Sequence, residues 1–401
     1  MNVIMQVTPH DPLVARDSRP FGAGQGNRMR SLLWPLPSVV AGAFRTALVK
    51  ATPHVDFSGN MPQRLMQIGV AGLFPVNKDQ LYLPAPHDAV AEPKENGKGI
   101  KKLHRVVPQA TQGGCDLPED SLQPVMLSEL QAKGDFKPAD VPAWWPVGKY
   151  TEWLLGKNLC FDSSFLLNPL QEKRDHVSLD AEIGAAADGL IFSTAGLNLT
   201  RLPRMDVDLS MPLLDRFAEI TLSGRITIPD SETELKIGQQ FGIWQPLGGE
   251  RRMVHWQREE QQNRAKVIGW ECPSEIRSAL ANTTKVRMVL ASPAIFNDGW
   301  KPGWLTNGLS GELSGVKLRL VGASISRWKA VSGWSLAPPR GPKPIRRMVP
   351  AGSVYFFEVE KSGDAAALAD QWLHSVCDNQ QERRDGFGLA AWGTWNEKEN
   401  R

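Results

Sequence analysis

Arg346-Arg347-Met348-Val349-Pro350-Ala351-Gly352-Ser353-Val354-Tyr355-Phe356-Phe357, completed by Asp385-Gly386-Phe387-Gly388-Leu389, is the stretch on which the fold turns. From Val354 to Val359 aromatic and β-branched residues crowd both faces, which predicts a strand. Ala365, Leu368, Ala369, Trp372, Leu373 and Val376 then recur at i, i+3, i+4, i+7, i+8 and i+11. That is one face of a 3.6-residue period and predicts a helix, with Asp364 placed as its N-cap. Gly386 and Gly388 flank Phe387 where the chain re-enters the sheet, and a backbone without Cβ atoms can approach a ligand closely. Strand, helix and strand behind a basic, proline-broken segment make half a domain able to hold an extended polyanion.

The rest of the chain fits a second such unit. At 401 residues there is length for two domains, each with its own core. Hydrophobic residues at 41% and charged residues at 22% are those of an ordinary soluble protein. A net charge of +3 rules out a generic polyanion binder, so a nucleic-acid surface has to be a local patch. The four cysteines, Cys115, Cys160, Cys272 and Cys377, stand far apart with no CxxC pair and read as free thiols of a reducing compartment. The N-terminus lacks a basic and apolar leader, and no apolar run approaches a membrane span, so a cytoplasmic protein is expected.

Residues 2–8 alternate as a first strand ending at Pro9, and an Arg- and Gly-rich loop over 10–37 follows it. Ser38 is expected to cap a helix reaching about Lys50. Residues 84–150 look like a loop-rich surface insertion, broken by Pro and Gly and carrying the basic cluster Lys98, Lys101, Lys102, His104 and Arg105. A helix from 151 leads to a hairpin of His176–Asp180 with Gly189–Ser193. Phe217 to Ile228 is a further strand, and 241–256 reads as a second hairpin around Leu247-Gly248-Gly249-Glu250-Arg251-Arg252. Lys285 to Ala291 opens the second unit. The expected organisation is a domain at 1–270 with its insertion at about 84–150, and a domain at 271–401, both α+β with antiparallel sheets. Gln6-Val7-Thr8-Pro9 and Leu290-Ala291-Ser292-Pro293, each closing a strand, hint at an internal repeat.

Gly22-Ala23-Gly24-Gln25-Gly26 is no dinucleotide fingerprint. Arg19-Pro20-Phe21 precedes it instead of a strand, and Trp34-Pro35-Leu36-Pro37 delays the helix. Between residues 10 and 50 there are six Lys or Arg against two Asp. Arg16, Arg19, Arg28 and Arg30, with the helix N-terminus at Ser38, are therefore candidates to face phosphates. A flexible loop is the alternative. Residues 327–347 hold six cations, no acid and the rings of Trp328 and Trp334. Cations that track a backbone beside rings that stack on bases are the composition of a single-strand-binding surface. An ordinary basic loop with core tryptophans stays open. Arg340, Lys343, Arg346 and Arg347 are the candidates there. No nucleotide-binding, zincin, serine-hydrolase or metal-ligand spacing occurs, so neither catalytic residue nor metal nor cofactor is expected. His10 beside Asp11 is the one conceivable general base, for RNA cleavage through the 2′-hydroxyl.

In this order along the chain, His10-Asp11-Pro12-Leu13, Arg16-Asp17-Ser18-Arg19-Pro20-Phe21, Pro37-Ser38 to Gly42-Ala43-Phe44-Arg45 and Leu83-Pro84-Ala85-Pro86 resemble one family. Asp188-Gly189-Leu190-Ile191-Phe192, the Leu247–Arg252 motif, Ser292-Pro293-Ala294-Ile295-Phe296 with Gly299-Trp300, Val349–Tyr355 and Gly386-Phe387-Gly388 continue the match. The chain resembles the third subunit of the type III-B (Cmr) CRISPR effector complex, of the RAMP superfamily, over all but residues 90–170. The resemblance implies two ferredoxin-like (RRM-like) domains with long loop insertions. It implies a non-catalytic subunit that grips the 5′ handle of crRNA and docks on the large cyclase/polymerase-like subunit beside an adjacent backbone RAMP subunit. Within the matching motifs it adds Arg45, Arg251, Arg252 and the Gly386-Phe387-Gly388 element to the RNA-contacting set. A RAMP-type endoribonuclease that processes the crRNA precursor, and a purely protein-binding scaffold, are the alternatives.

Overall fold

The computed structural model describes residues 1–17, 27–95, 99–110, 117–118, 121–127, 136–205, 210–232, 234–259, 267–335 and 340–396, with the backbone alone at 27, 28, 188, 189 and 335. Expectations placed on Arg19, on the Gly22–Gly26 run, on Lys98, on Cys115 and on the polar tail from 397 fall outside these residues.

The first strand, β1 (Asn2–Pro9), alternates as its sequence dictates, with Val3, Met5, Val7 and Pro9 buried. The helix α1 (Pro37–Ala51) covers that face with Val40, Ala41, Phe44, Ala47 and Leu48. Full burial of Phe44 and Leu48 stabilises the unit by about 1.5–3 kcal/mol each. The strands β2 (Gly69–Asn77), β3 (Thr221–Thr227) and β4 (Met253–Arg258) complete the centre of a seven-stranded antiparallel sheet in the order β4-β1-β3-β2. Gly242–Pro246 adds an edge beside β4, and Gln80–Pro84 and Trp144–Pro146 extend the far side.

A second sheet repeats this plan. Its strands β5 (Lys285–Leu290), β6 (Val316–Ser324), β7 (Val354–Glu358) and β8 (Leu389–Thr394) stand in the order β8-β5-β7-β6, again antiparallel, with Ser310–Leu313 and His374–Ser375 as edges. Numbered within their own sheet, both central sets read 4-1-3-2. β1 and β5 hold the same place, so the echo between Val7-Thr8-Pro9 and Ala291-Ser292-Pro293 has a structural counterpart. The α+β architecture with antiparallel sheets is thus the one expected. Among the described residues the helical cover is complementary. The first unit carries a helix between its first and second strands, the second a 3₁₀ helix between its third and fourth.

Four local expectations are corrected. The helix begins at Pro37, not after Ser38. Its N-cap is Leu36, and Ser38 lies inside the first turn without capping it, because Pro37 already supplies the helical φ and needs no N–H partner. The C-terminal helix is a 3₁₀ helix ending at Gln371, entered through a left-handed Gly363, and Asp364 is its first residue. Its apolar face is nonetheless the predicted one: all of Ala365, Leu368, Ala369, Trp372, Leu373 and Val376 are buried. Left-handed Leu373 (φ 52°) ends the run and turns the chain into the His374–Ser375 strand. The Phe217–Ile228 strand is broken into Phe217–Glu219 and Thr221–Thr227.

The supposed insertion is no surface appendage either. It forms the strands Ala89–Pro93, Ile100–Pro108 and Val125–Leu127 and supplies Trp144–Pro146 to the large sheet. Within it Asp88, His104, Arg105 and Trp145 are buried. Arg105 lies over the Trp153 ring at 3.7 Å and donates to the carbonyls of Trp153 and Lys157. Its charge therefore points inward, while Lys101, paired with Glu92, and Lys102 remain exposed.

Buried polar joints tie the two sheets together. The guanidinium of Arg287 pairs with Asp88, which also accepts from Trp153 Nε1 at 2.8 Å. Arg225 donates to the Leu373 carbonyl at 2.6 Å, and Trp372 Nε1 donates to the Gly269 carbonyl at 2.9 Å. Burial holds the Arg225 pKa down to about 10. Such pairs add little net stability against apolar packing but are costly to break one side at a time, so they fix the mutual placement of the sheets.

Candidate nucleic-acid interface

The described residues after β1 are held by backbone pairing. Leu13 exchanges hydrogen bonds with Leu197 at 2.9 and 2.7 Å, and Gly249 N–H donates to the Val14 carbonyl at 2.8 Å. The Leu32 and Ala15 main chains pair at 2.7 Å, and Asp17 N–H donates to Arg30 O at 3.2 Å. These bonds set Arg16 and Arg30 on exposed positions. Gly248 is obligatory at the turn beside them: its φ is +79°, and a Cβ there would lie 2.5 Å from the Val14 carbonyl oxygen.

The described residues of the basic segment 327–347 form a paired ribbon. Lys329–Val331 pairs with Arg346–Met348, and Trp334–Ser335 pairs with Gly341–Pro342. Trp328 is 49% and Trp334 64% exposed, so both indoles face solvent as the sequence composition suggested. Arg347 sits over the Trp328 ring with 5.0 Å from Cζ to the centroid, a cation–π contact that orients both groups. Arg340, Lys343 and Arg347 are exposed.

These two parts, more than 300 residues apart in sequence, meet in one groove of about 620 Å³. Leu13 and Arg16, Leu36 and Val39 at the start of α1, Gly248 and Gly249, and Trp334 all line it. An exposed indole, an arginine and the start of a 15-residue helix around one groove suit a strand of nucleotides: a ring to stack on, and cations and a helix N-terminus for phosphate.

Several expected contacts lie elsewhere. Arg45 is buried, pairs with Asp385 at 2.6 Å and donates to the Ile68 carbonyl at 2.7 Å, so it cannot reach a phosphate. The groove touches Leu36 and Val39 on either side of Ser38, but not Ser38 itself. Arg346 is drawn back into an ion pair with the buried carboxylate of Glu382. Arg251 stands exposed at the hairpin tip in left-handed conformation, and Arg252 beside it is half-buried. Arg28 belongs to a two-residue strand paired with Phe192 and Ser193.

The largest correction concerns Gly386-Phe387-Gly388. Phe387 is 3% exposed. A Cβ on Gly386 (φ +86°) would lie 2.3 Å from the Val70 carbonyl of β2, and one on Gly388 (φ +67°) 2.6 Å from Cys377 Sγ. The Gly386 carbonyl accepts from Ser292 Oγ at 2.8 Å. The close approach that Gly386 permits is to the protein's own first sheet, and that of Gly388 to Cys377 and Ser375 within its own unit. The groove walls Val14, Leu36 and Val39 carried no sequence signal, being apolar residues that any core would use.

The two histidines weighed for catalysis are engaged with rings. His10 meets Trp244 edge-on at 5.7 Å between centroids, while Asp11 accepts from Met253 N–H at 3.1 Å. His176 stacks on Phe192 at 5.0 Å, with Nε2 2.8 Å from Thr194 Oγ1. Among the described residues no group of three or more His, Cys, Asp or Glu could hold a metal ion, and no helix is long and apolar enough to cross a membrane.

A family model described as CRISPR-associated protein (Cas_Cmr3) matches residues 5–395. No curated protein matches the chain. Among solved structures it is similar to a chain of the type III-B Cmr-beta complex bound to cognate target RNA, at 13% identity and TM-score 0.44, covering 88% of this chain and 86% of that one. It is also similar to a chain of the Csm3-Csm4 subcomplex of a type III-A CRISPR-Cas interference complex, at 12% identity and TM-score 0.34, covering 91% of this chain and 94% of that one.

Proposed function

Because the chain belongs to the Cas_Cmr3 family of CRISPR-associated proteins, we propose that it is a non-catalytic, RNA-holding subunit of a type III-B effector complex. Its ligand is the 5′ handle of crRNA, and it docks on the large cyclase/polymerase-like subunit and on an adjacent backbone RAMP subunit. Each sheet is a ferredoxin-like (RRM-like) unit, the common 4-1-3-2 strand order being its mark.

One observation carries the reading: the loop after β1 and the ribbon 327–347 converge on a single groove with Trp334 in its lining. The handle lies along it, its phosphates near Arg16, Arg30, Arg340 and Lys343 and a base against Trp334. Bases stack on aromatic faces with little regard to sequence, while the cations track the backbone. The groove is read as holding RNA without cutting it, since no histidine is among the described residues that line it to act as a general base.

Mapping ultraviolet crosslinks between crRNA and this subunit in the assembled complex tests the reading. Handle nucleotides are expected on peptides containing Arg16 and Trp334. Crosslinks confined to other surfaces, or none to this chain, overturn it.

A further inference from the structure

Of the fourteen tryptophans three are exposed. Trp328 and Trp334 belong to the basic ribbon. The third, Trp244, stands 52% exposed on the edge strand Gly242–Pro246 of the first sheet. A single exposed aromatic needs no explanation by itself. Its surroundings do.

Strand register places Trp244 opposite His255, and His255 opposite Thr8. The next row holds Gly242, Gln257, Gln6 and Ser223. Side chains two residues apart share a face, so both rows lie on the side away from α1, whose Phe44 packs at 5.2 Å on Trp256 of the opposite face. His255 lies beside the indole at 4.9 Å with a 36° tilt, and His10 meets it edge-on at 5.7 Å and 82°. Two imidazoles thus fix the ring while half of its surface stays open.

The neighbourhood is polar. Gln6, Thr8 and Ser223 continue into a hollow of about 880 Å³, whose lining adds Asn77 and Thr221, the cations Lys78 and Arg201 and the carboxylates Asp79, Glu219 and Glu259. The hairpin that carries Trp244 also carries Gly248 and Gly249 of the groove. Four residues of extended chain separate Trp244 from Gly248, roughly 13 Å. A π-face fixed by two imidazoles, at the end of a row that runs on to Thr8, suits a planar ring with polar edges. A buried protein contact would surround its aromatic anchor with apolar area instead.

We propose that Trp244, braced by His10 and His255, is a stacking platform for an unpaired nucleobase of the RNA that leaves the groove over the Gly248-Gly249 turn. The proposal rests on the RNA-holding reading of that groove and extends its track onto the open face of the first sheet.

The test uses the complete effector complex assembled on crRNA, with Trp244→Ala, Trp244→Phe and Trp334→Ala, and two readouts: crRNA affinity and crosslinking of 4-thiouridine-substituted crRNA. Trp244→Ala should weaken crRNA roughly tenfold, within the range of one base–aromatic stack, while Trp244→Phe keeps most of the affinity. A crosslink should fall on the peptide around Trp244. Full affinity in Trp244→Ala beside a loss in Trp334→Ala removes the platform and leaves the groove. Full affinity in both variants removes the groove reading as well. A photoreactive phenylalanine at position 244 that couples to a neighbouring subunit and not to RNA makes this a protein contact, and overturns the platform.

Discussion

Replacing Arg340, Lys343 and Arg347 together by Ala separates the ribbon's phosphate-binding role from its structural one. All three are exposed, and none is drawn into a buried ion pair as Arg346 is with Glu382. Each phosphate contact to single-stranded nucleic acid contributes about 0.7 to the slope of log affinity against log salt. Losing three contacts flattens that slope by about 2.1. Between about 50 and 200 mM salt, a fourfold change or roughly 0.6 log units, the parent should lose roughly 20-fold more affinity than the triple variant. Fluorescence anisotropy of a labelled handle oligonucleotide, titrated at three salt concentrations, measures both slopes. Arg346→Ala is the control: it strands the buried Glu382 carboxylate and should lower stability with little effect on slope. An unchanged slope in the triple variant, or an equal flattening in Arg346→Ala, refutes the assignment of phosphate contacts to the ribbon's exposed cations.

Asp385→Ala leaves the Arg45 guanidinium buried without its partner and should cost about 3–5 kcal/mol, read as a lower denaturation midpoint, with Asp385→Asn milder. Gly386→Val places a side chain at φ +86° against the Val70 carbonyl; it should abolish stable expression, whereas an RNA-contacting loop would tolerate it and lose only affinity. Burial first, helped by Lys329 at His87 and by Arg225 at His374, holds both histidines below their ordinary value. The unfolded chain therefore takes up protons first, so their contribution to stability is whole above about pH 6.5 and is lost as pH falls from there towards the native values. The midpoint should drop between pH 7.5 and 5.5, and by less in the His374→Gln variant. Repeat RNA incubated with the protein in EDTA should stay intact; a discrete product absent from His10→Ala would establish the nuclease instead.

Strand and helix periodicities survive the test of the structure because they are local. The alternation of β1, the crowded β7 and the buried face of Ala365 to Val376 all depend on which residues neighbour each other along the chain. The helix type over 364–376 does not, since left-handed Gly363 and Leu373 answer to tertiary packing. Charge was the least legible property. Arg45 and Arg346 look like phosphate contacts in sequence and Arg105 like part of a surface basic cluster, yet each is claimed by a carboxylate or by carbonyls from other segments.

What the sequence by itself determined is the α+β class and two segments, after β1 and at 327–347, that contribute to the groove. Composition and period are enough for that, because backbone geometry ties each to a local conformation. Only the tertiary structure decided what the Gly386–Gly388 pair is for. Missing Cβ atoms say that something comes close; they do not say what. At Gly386 it is the Val70 carbonyl, 316 residues earlier in the chain, and at Gly388 the Cys377 sulfur, so one glycine joins the two sheets and the other packs within its own unit.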